Sequence, residues 1–187
     1  LRMAALKKRY YPKIAEEVYL ATLDNGMSLS IIKKKGFIEK AAFLSTNFGA
    51  LDNRFYIDGK LQTYPAGIAH FLEHKLFEDD QGRDVTLDFV KLGADVNAFT
   101  TLDRTTYYFS TIDHFEESLE LLLKFTSEFT SSEDTVNHEK RIIEQEIRRC
   151  VHDFAQLSRT GKLPFPVRRS VSYTHLRAHE TLANIVC

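Results

Sequence analysis

His70, Glu73 and His74 are the residues in this chain whose types and spacing could do chemistry. They lie within the stretch 67–77, Gly-Ile-Ala-His-Phe-Leu-Glu-His-Lys-Leu-Phe. A helix turns about 100° per residue, so His70 and His74 stand one turn apart on the same side with Glu73 beside them. Ile68, Ala69, Phe71, Leu72, Leu76 and Phe77 make the helix apolar nearly all round, and it should be buried. A carboxylate and two imidazoles in an apolar wall are costly unless something compensates them. A divalent metal is the simplest partner: neutral imidazoles at i and i+4 suit zinc, and a catalytic site takes three protein ligands and one water. Glu73 would then be free to take a proton from that water, whose pKa the metal lowers to roughly 7. The plainer alternative is a pair of core histidines with a hydrogen-bonded Glu.

A third ligand is expected further along. On a helix opened by Ser131 and Ser132 and running from Glu133 to about Cys150, Val136, Ile142, Ile143, Ile147 and Cys150 form the apolar side. Arg141, Gln145, Arg148 and Arg149 face outward. Glu139 and Glu146, seven apart, fall inside the apolar sector by the 3.6 period. Charged residues are rarely buried without a partner. Two inward carboxylates therefore point to a cation in the core, one as ligand and the other as acceptor for an imidazole N–H. Pairing of one of them with a buried Lys or Arg is the competing explanation.

The remaining elements must position these groups. Residues 18–23 and 27–32 read as a hairpin around Asp24-Asn25-Gly26, where the Asn-Gly pair favours positive φ. A third strand is expected over 41–48. Residues 55–60 are ambiguous and read as a loop covering the site. Asp84 caps a helix over 85–92 that stops at Gly93. Residues 96–100 and 105–111 read as paired strands rich in Thr and aromatics. Asp113 caps the next helix, whose stripe of Phe115, Leu119, Leu122, Thr126 and Phe129 is assigned to the core. Hairpins without a regular β–α alternation give the α+β class, with a mainly antiparallel sheet packed on helices.

The order His70-Phe71-Leu72-Glu73-His74 reverses the His-Glu-x-x-His arrangement known from zinc peptidases. Together with the later Glu139 and Glu146, it resembles the pitrilysin/insulinase family of zinc metallopeptidases, closest to bacterial members of processing-peptidase type. The resemblance covers roughly residues 19–149 and implies a truncated half-domain of the pitrilysin-like type. It implies that His70, His74 and Glu146 bind Zn2+, that Glu73 is the catalytic base and that Glu139 supports a ligand. It further implies that Asn97, Ala98, Phe99 and Thr100 belong to an edge strand that pairs with an extended peptide substrate, a β-augmentation mode. Tyr107 falls on the neighbouring strand and joins the substrate-binding set. The implied activity is that of a zinc endopeptidase acting on peptides or small proteins, working with a related second half-domain in cis or trans, with dimerisation left open. A non-catalytic subunit or binding module of the same fold, and an inactive fragment lacking its second half, are the rival readings.

Composition narrows the classes. The chain has 187 residues, 43% hydrophobic and 12% aromatic, enough for a real core. A formal net charge of −1 offers no electrostatic argument for nucleic acid or an anionic membrane. No run of 18 apolar residues spans a bilayer. Residues 1–13 lack the apolar core of a secretory signal, and Leu1 is no initiator, which places the start at Met3 or upstream. Two cysteines, Cys150 and Cys187, are too few for a disulfide scaffold, and a cytoplasmic location is expected. Three segments are read: 1–149 as the incomplete N-terminal catalytic peptidase domain, 150–170 as diverged or frameshifted, and 171–187 as sequencing-adapter read-through. The last resembles the translation of a transposase adapter, which makes the spacing of His175, His179 and Glu180 an accident.

Overall fold

The computed structural model describes residues 5–79, 81–129 and 131–160. Two compact units emerge, Leu1–Ile38 and Glu39–Cys187. The first is a three-stranded antiparallel sheet, β1 (Lys7–Tyr11), β2 (Glu16–Thr22) and β3 (Ser28–Ile32), in that spatial order. The expected hairpin is β2–β3. Leu23 and Met27 close its loop, Gly26 takes φ 86°, and Asn25 Oδ1 accepts the Met27 N–H at 3.0 Å. β1 was not anticipated. Its Lys, Arg and Tyr residues suit an exposed edge strand, where charge protects free backbone groups, and Lys8 pairs with Glu17 across the ladder at 2.6 Å.

The second unit carries the site. Its main sheet is antiparallel in the order β4 (Lys40–Thr46), β8 (Thr105–Thr111), β7 (Ala94–Thr100). β8 is central because its Thr and aromatic residues suit a strand flanked on both edges, and five of its seven residues are buried. Alternation sends Tyr107 and Phe109 to one face, where they meet Val85, Phe89, Ala94, Leu122 and Phe125 in the core. Helices α1 (Ile68–Leu76), α2 (Thr86–Lys91) and α3 (Phe115–Ser127) supply the rest of that layer, and α4 (Glu133–Thr160) crosses α1. The α+β class with antiparallel sheets is therefore observed.

Several details depart from expectation. Residues 55–60 are no covering loop: β5 (Arg54–Ile57) and β6 (Lys60–Thr63) form a hairpin around Asp58 and Gly59, both at positive φ as a type I′ turn requires. Phe55 stacks on Tyr64 and meets Phe48 edge-on, which anchors the hairpin to its own unit. The α3 stripe holds at Leu122, Phe115 and Leu119 but fails at Phe129, which is half exposed. The helix ends at Ser127, so position 129 has left its periodic face, and Phe125 fills the core instead. Asp84 accepts the Thr86 N–H at 2.8 Å just ahead of α2, whose N-cap is Val85. No side chain caps α3, whose N-cap is His114 rather than Asp113. Ser132 opens α4 reciprocally with Thr135, and the helix runs ten residues beyond the expected end near Cys150. The adapter-like stretch 171–187, and 161–170 before it, lie outside the described residues.

Candidate metal centre

Gly67 begins α1 in the left-handed conformation, φ 83°, with its carbonyl accepting the Phe71 N–H. Beyond it every residue of α1 is buried or half-buried, as the apolar sequence requires. His70 and His74 lie on the side facing α4, ring centroids 4.6 Å apart and planes at 89°. Their Nε2 atoms approach to 3.1 Å. From α4, Glu146 brings Oε2 to 3.6 Å from His74 Nε2 and 3.9 Å from His70 Nε2. Glu146 is exposed, not turned into the core, because it closes the open side of the cluster. One turn pair earlier on α4, Glu139 is buried and accepts the His74 Nδ1–H at 2.9 Å.

That last bond fixes a tautomer. With the proton on Nδ1, the His74 Nε2 lone pair points at His70 and Glu146. Burial, and then the neighbouring His74, hold the His70 imidazole below its ordinary pKa, which keeps it neutral and able to donate a lone pair. One donor atom each from His70, His74 and Glu146 falls within 4.8 Å of the others. A tetrahedral ion with ligand bonds of about 2.0–2.1 Å needs donors about 3.3 Å apart, and the three observed separations bracket that value. Two imidazole nitrogens and a carboxylate oxygen are also a donor set of catalytic zinc. The residues fit the ion.

Glu73 lies on the neighbouring side of α1, against β7. It is 8% exposed and accepts a short hydrogen bond on Oε2 from the Thr100 hydroxyl. Burial, followed by the charge of Glu73, pushes the Tyr107 phenol well above its ordinary range, so it stays neutral. Tyr107 packs on Phe77 and Phe125 within the core.

A family model described as Insulinase (Peptidase family M16) matches residues 62–173. The chain belongs to the insulinase, or M16, peptidase family. It is 44% identical over 144 residues to an uncharacterized zinc protease, YmfH, of Bacillus subtilis, covering 76% of this chain and 33% of that protein. An insulin-degrading enzyme homolog of Dictyostelium discoideum is 31% identical over 66% of this chain and 13% of its own length. Among solved structures, an M16-like peptidase from Alicyclobacillus acidocaldarius superposes with a TM-score of 0.66 at 34% identity, over 80% of this chain and 33% of that one. Pitrilysin shares the fold at a TM-score of 0.59 and 18% identity. The chain spans about a third of the length of the first of these M16 relatives.

Within this M16 chain the structure brings together His70, His74, Glu146 and Glu139, with Glu73 alongside. The four β7 residues divide by strand alternation. Asn97 and Phe99 face outward and are exposed, whereas Ala98 packs against the core and Thr100 turns inward to Glu73. Among the described residues β7 pairs only with β8, and no strand lies along its other edge. Asn97 Oδ1 accepts the Ala98 N–H at 2.8 Å. Sequence reasoning missed Lys75, which is 1% exposed and forms an ion pair with Glu78. Burial lowers its pKa, with the charge of Glu139 opposing that shift. No helix among the described residues is long and apolar enough to cross a membrane.

Proposed function

We propose that the protein is a zinc-dependent endopeptidase in which His70, His74 and Glu146 hold the metal and Glu73 is the general base. The convergence of those three donor atoms, with the Glu73 carboxylate held beside them, is the observation that carries this reading. Zinc supplies a Lewis acid that polarises a carbonyl and brings the pKa of a water near 7. Glu73 takes the proton of the attacking water on the carboxylate oxygen that Thr100 leaves free, and returns it to the leaving amine. Glu139 holds His74 in the tautomer that presents Nε2. The free edge of β7 receives the substrate as an added extended strand, with backbone hydrogen bonds giving affinity. Asn97 and Phe99 face the side on which substrate side chains would lie, and the Ala98 N–H exchanges its bond to Asn97 for a substrate carbonyl. Tyr107 contributes through the core beneath Glu73, without touching the peptide.

The chain spans about a third of its first M16 relatives, which favours one addition. A related second half-domain, in cis or trans, completes the substrate enclosure, so residues 1–160 alone bind zinc and turn over poorly. Cleavage of a fluorogenic peptide by the full-length protein tests the reading. Activity lost to a chelator and restored by stoichiometric zinc supports it; chelator-resistant cleavage, or none with zinc bound, contradicts it.

A further inference from the structure

The expected place of Thr100 was on the peptide, yet its hydroxyl is buried and aimed at the base. Thr100 and Thr105 stand opposite each other at the closed end of the β7–β8 hairpin. Thr105 is 2% exposed and donates its hydroxyl proton to the Phe48 carbonyl at 2.8 Å. The two threonine oxygens are 3.3 Å apart. Each hydroxyl carries one proton. With the Thr105 proton committed to Phe48, the Thr100 proton is the one left to share, and the Glu73 carboxylate, which can only accept, takes it.

The Phe48 carbonyl is itself fixed by a close approach of two backbones. Ala50 N–H donates to the Thr101 carbonyl at 2.9 Å, and Leu51 N–H to the Leu102 carbonyl at 3.0 Å. Gly49 sits so near the hairpin that a Cβ there would lie 2.4 Å from the Arg104 backbone nitrogen. No side chain fits, which explains glycine at this position.

We propose that Thr100 is a positioning residue for Glu73, oriented by Thr105 and the Gly49-dependent seat of the Phe48 carbonyl. The inference rests on Glu73 acting as base. By occupying Oε2, Thr100 restrains the carboxylate and leaves Oε1 as the oxygen available to take a proton. A base displaced by about 1 Å can lose on the order of 100-fold in rate.

The test compares zinc-loaded full-length wild type with Thr100→Val, Thr100→Ser and Thr105→Val. Thr100→Val keeps the shape and removes the donor. Its kcat should fall about 100-fold, with KM within about twofold and zinc content unchanged, and Thr100→Ser should restore most of the rate. Wild-type kcat in Thr100→Val would overturn the proposal, as would a Thr100→Ser variant no better than Val. Should Thr100→Val fail to fold, Thr105→Val takes its place, with kcat expected to fall about tenfold and an unchanged kcat overturning the proposal. Crystal structures of wild type and whichever valine variant folds provide a readout independent of turnover. The Glu73 carboxylate should leave its wild-type orientation, and an unmoved carboxylate contradicts positioning. If wild type shows no zinc-dependent cleavage, the peptidase reading fails, and the crystal comparison still decides the role of Thr100.

Discussion

Helix α1 and the loop after it carry two polar clusters of opposite design. Around Arg83, every charge meets its opposite: Asp79 takes Nε at 3.0 Å, Asp88 takes both terminal nitrogens at 2.8 and 2.9 Å, and Lys91 adds a bond to Asp88 at 2.8 Å. Around His74, the Nε2 atoms of His70 and His74 and the Glu146 carboxylate converge on one place. The first cluster closes on itself and sits in solvent. The second gathers atoms that could serve as ligands to a cation, with Glu139 buried behind His74. Charge content does not separate a structural ion-pair network from a candidate metal centre; the convergence of two imidazole nitrogens and a carboxylate oxygen does.

Removing a donor from the second cluster should have the largest effect. His74→Ala or Glu146→Ala should abolish stoichiometric zinc binding, read by metal analysis after dialysis; the thermal unfolding of the metal-free protein should barely move for Glu146→Ala, whose side chain is exposed, and fall for His74→Ala, which leaves the buried Glu139 without its imidazole partner. Retained zinc in either variant would reassign the ligand set. Glu139→Gln should be milder, because the amide can still accept from His74 but without charge; zinc affinity should weaken about 10–100-fold in a competition titration.

Lys75 sharpens the contrast from the structural side. Glu78→Gln leaves a buried ammonium without its counter-ion, and chemical denaturation should show a loss of about 3 kcal/mol, at the low end for a broken buried pair because Glu78 is partly exposed. A loss below about 0.5 kcal/mol would mean that Lys75 reaches another partner or sheds its proton. The smallest effect belongs to the Arg83 network. Asp88 is drawn down to about 2 by hydrogen bonds from Arg83 and then Lys91. Its contribution is fully present above the ordinary aspartate value and lost as pH falls through about 2. Asp88→Asn should therefore cost about 0.5 kcal/mol or less after solvent screening, with no pH dependence of the difference between pH 5 and 8.

Much of the centre was legible in the sequence because it follows from helical spacing. The i, i+4 histidines and the seven-residue interval from Glu139 to Glu146 place donors on one face whatever surrounds them. Strand directions were less legible. Alternation says that Phe99 and Thr100 face opposite sides, but not which side holds the helix, so the bond from the Thr100 hydroxyl to Glu73 is visible only in the fold. Short-range turn chemistry could have revealed β5 and β6, since Asp58-Gly59 is a hairpin signal between alternating residues. Lys75 was unreadable from pattern alone: its burial depends on how the end of α1 packs, which no local period encodes.

The central claim is that Glu73 does the proton chemistry beside a zinc held by His70, His74 and Glu146. Its most direct test is zinc content and peptide cleavage measured on the same preparations of full-length wild type and Glu73→Gln. One zinc is expected in each, with cleavage by wild type alone, since the amide preserves the shape and removes the base. Cleavage by Glu73→Gln at a rate near that of wild type would contradict it, and so would a wild type that binds no zinc.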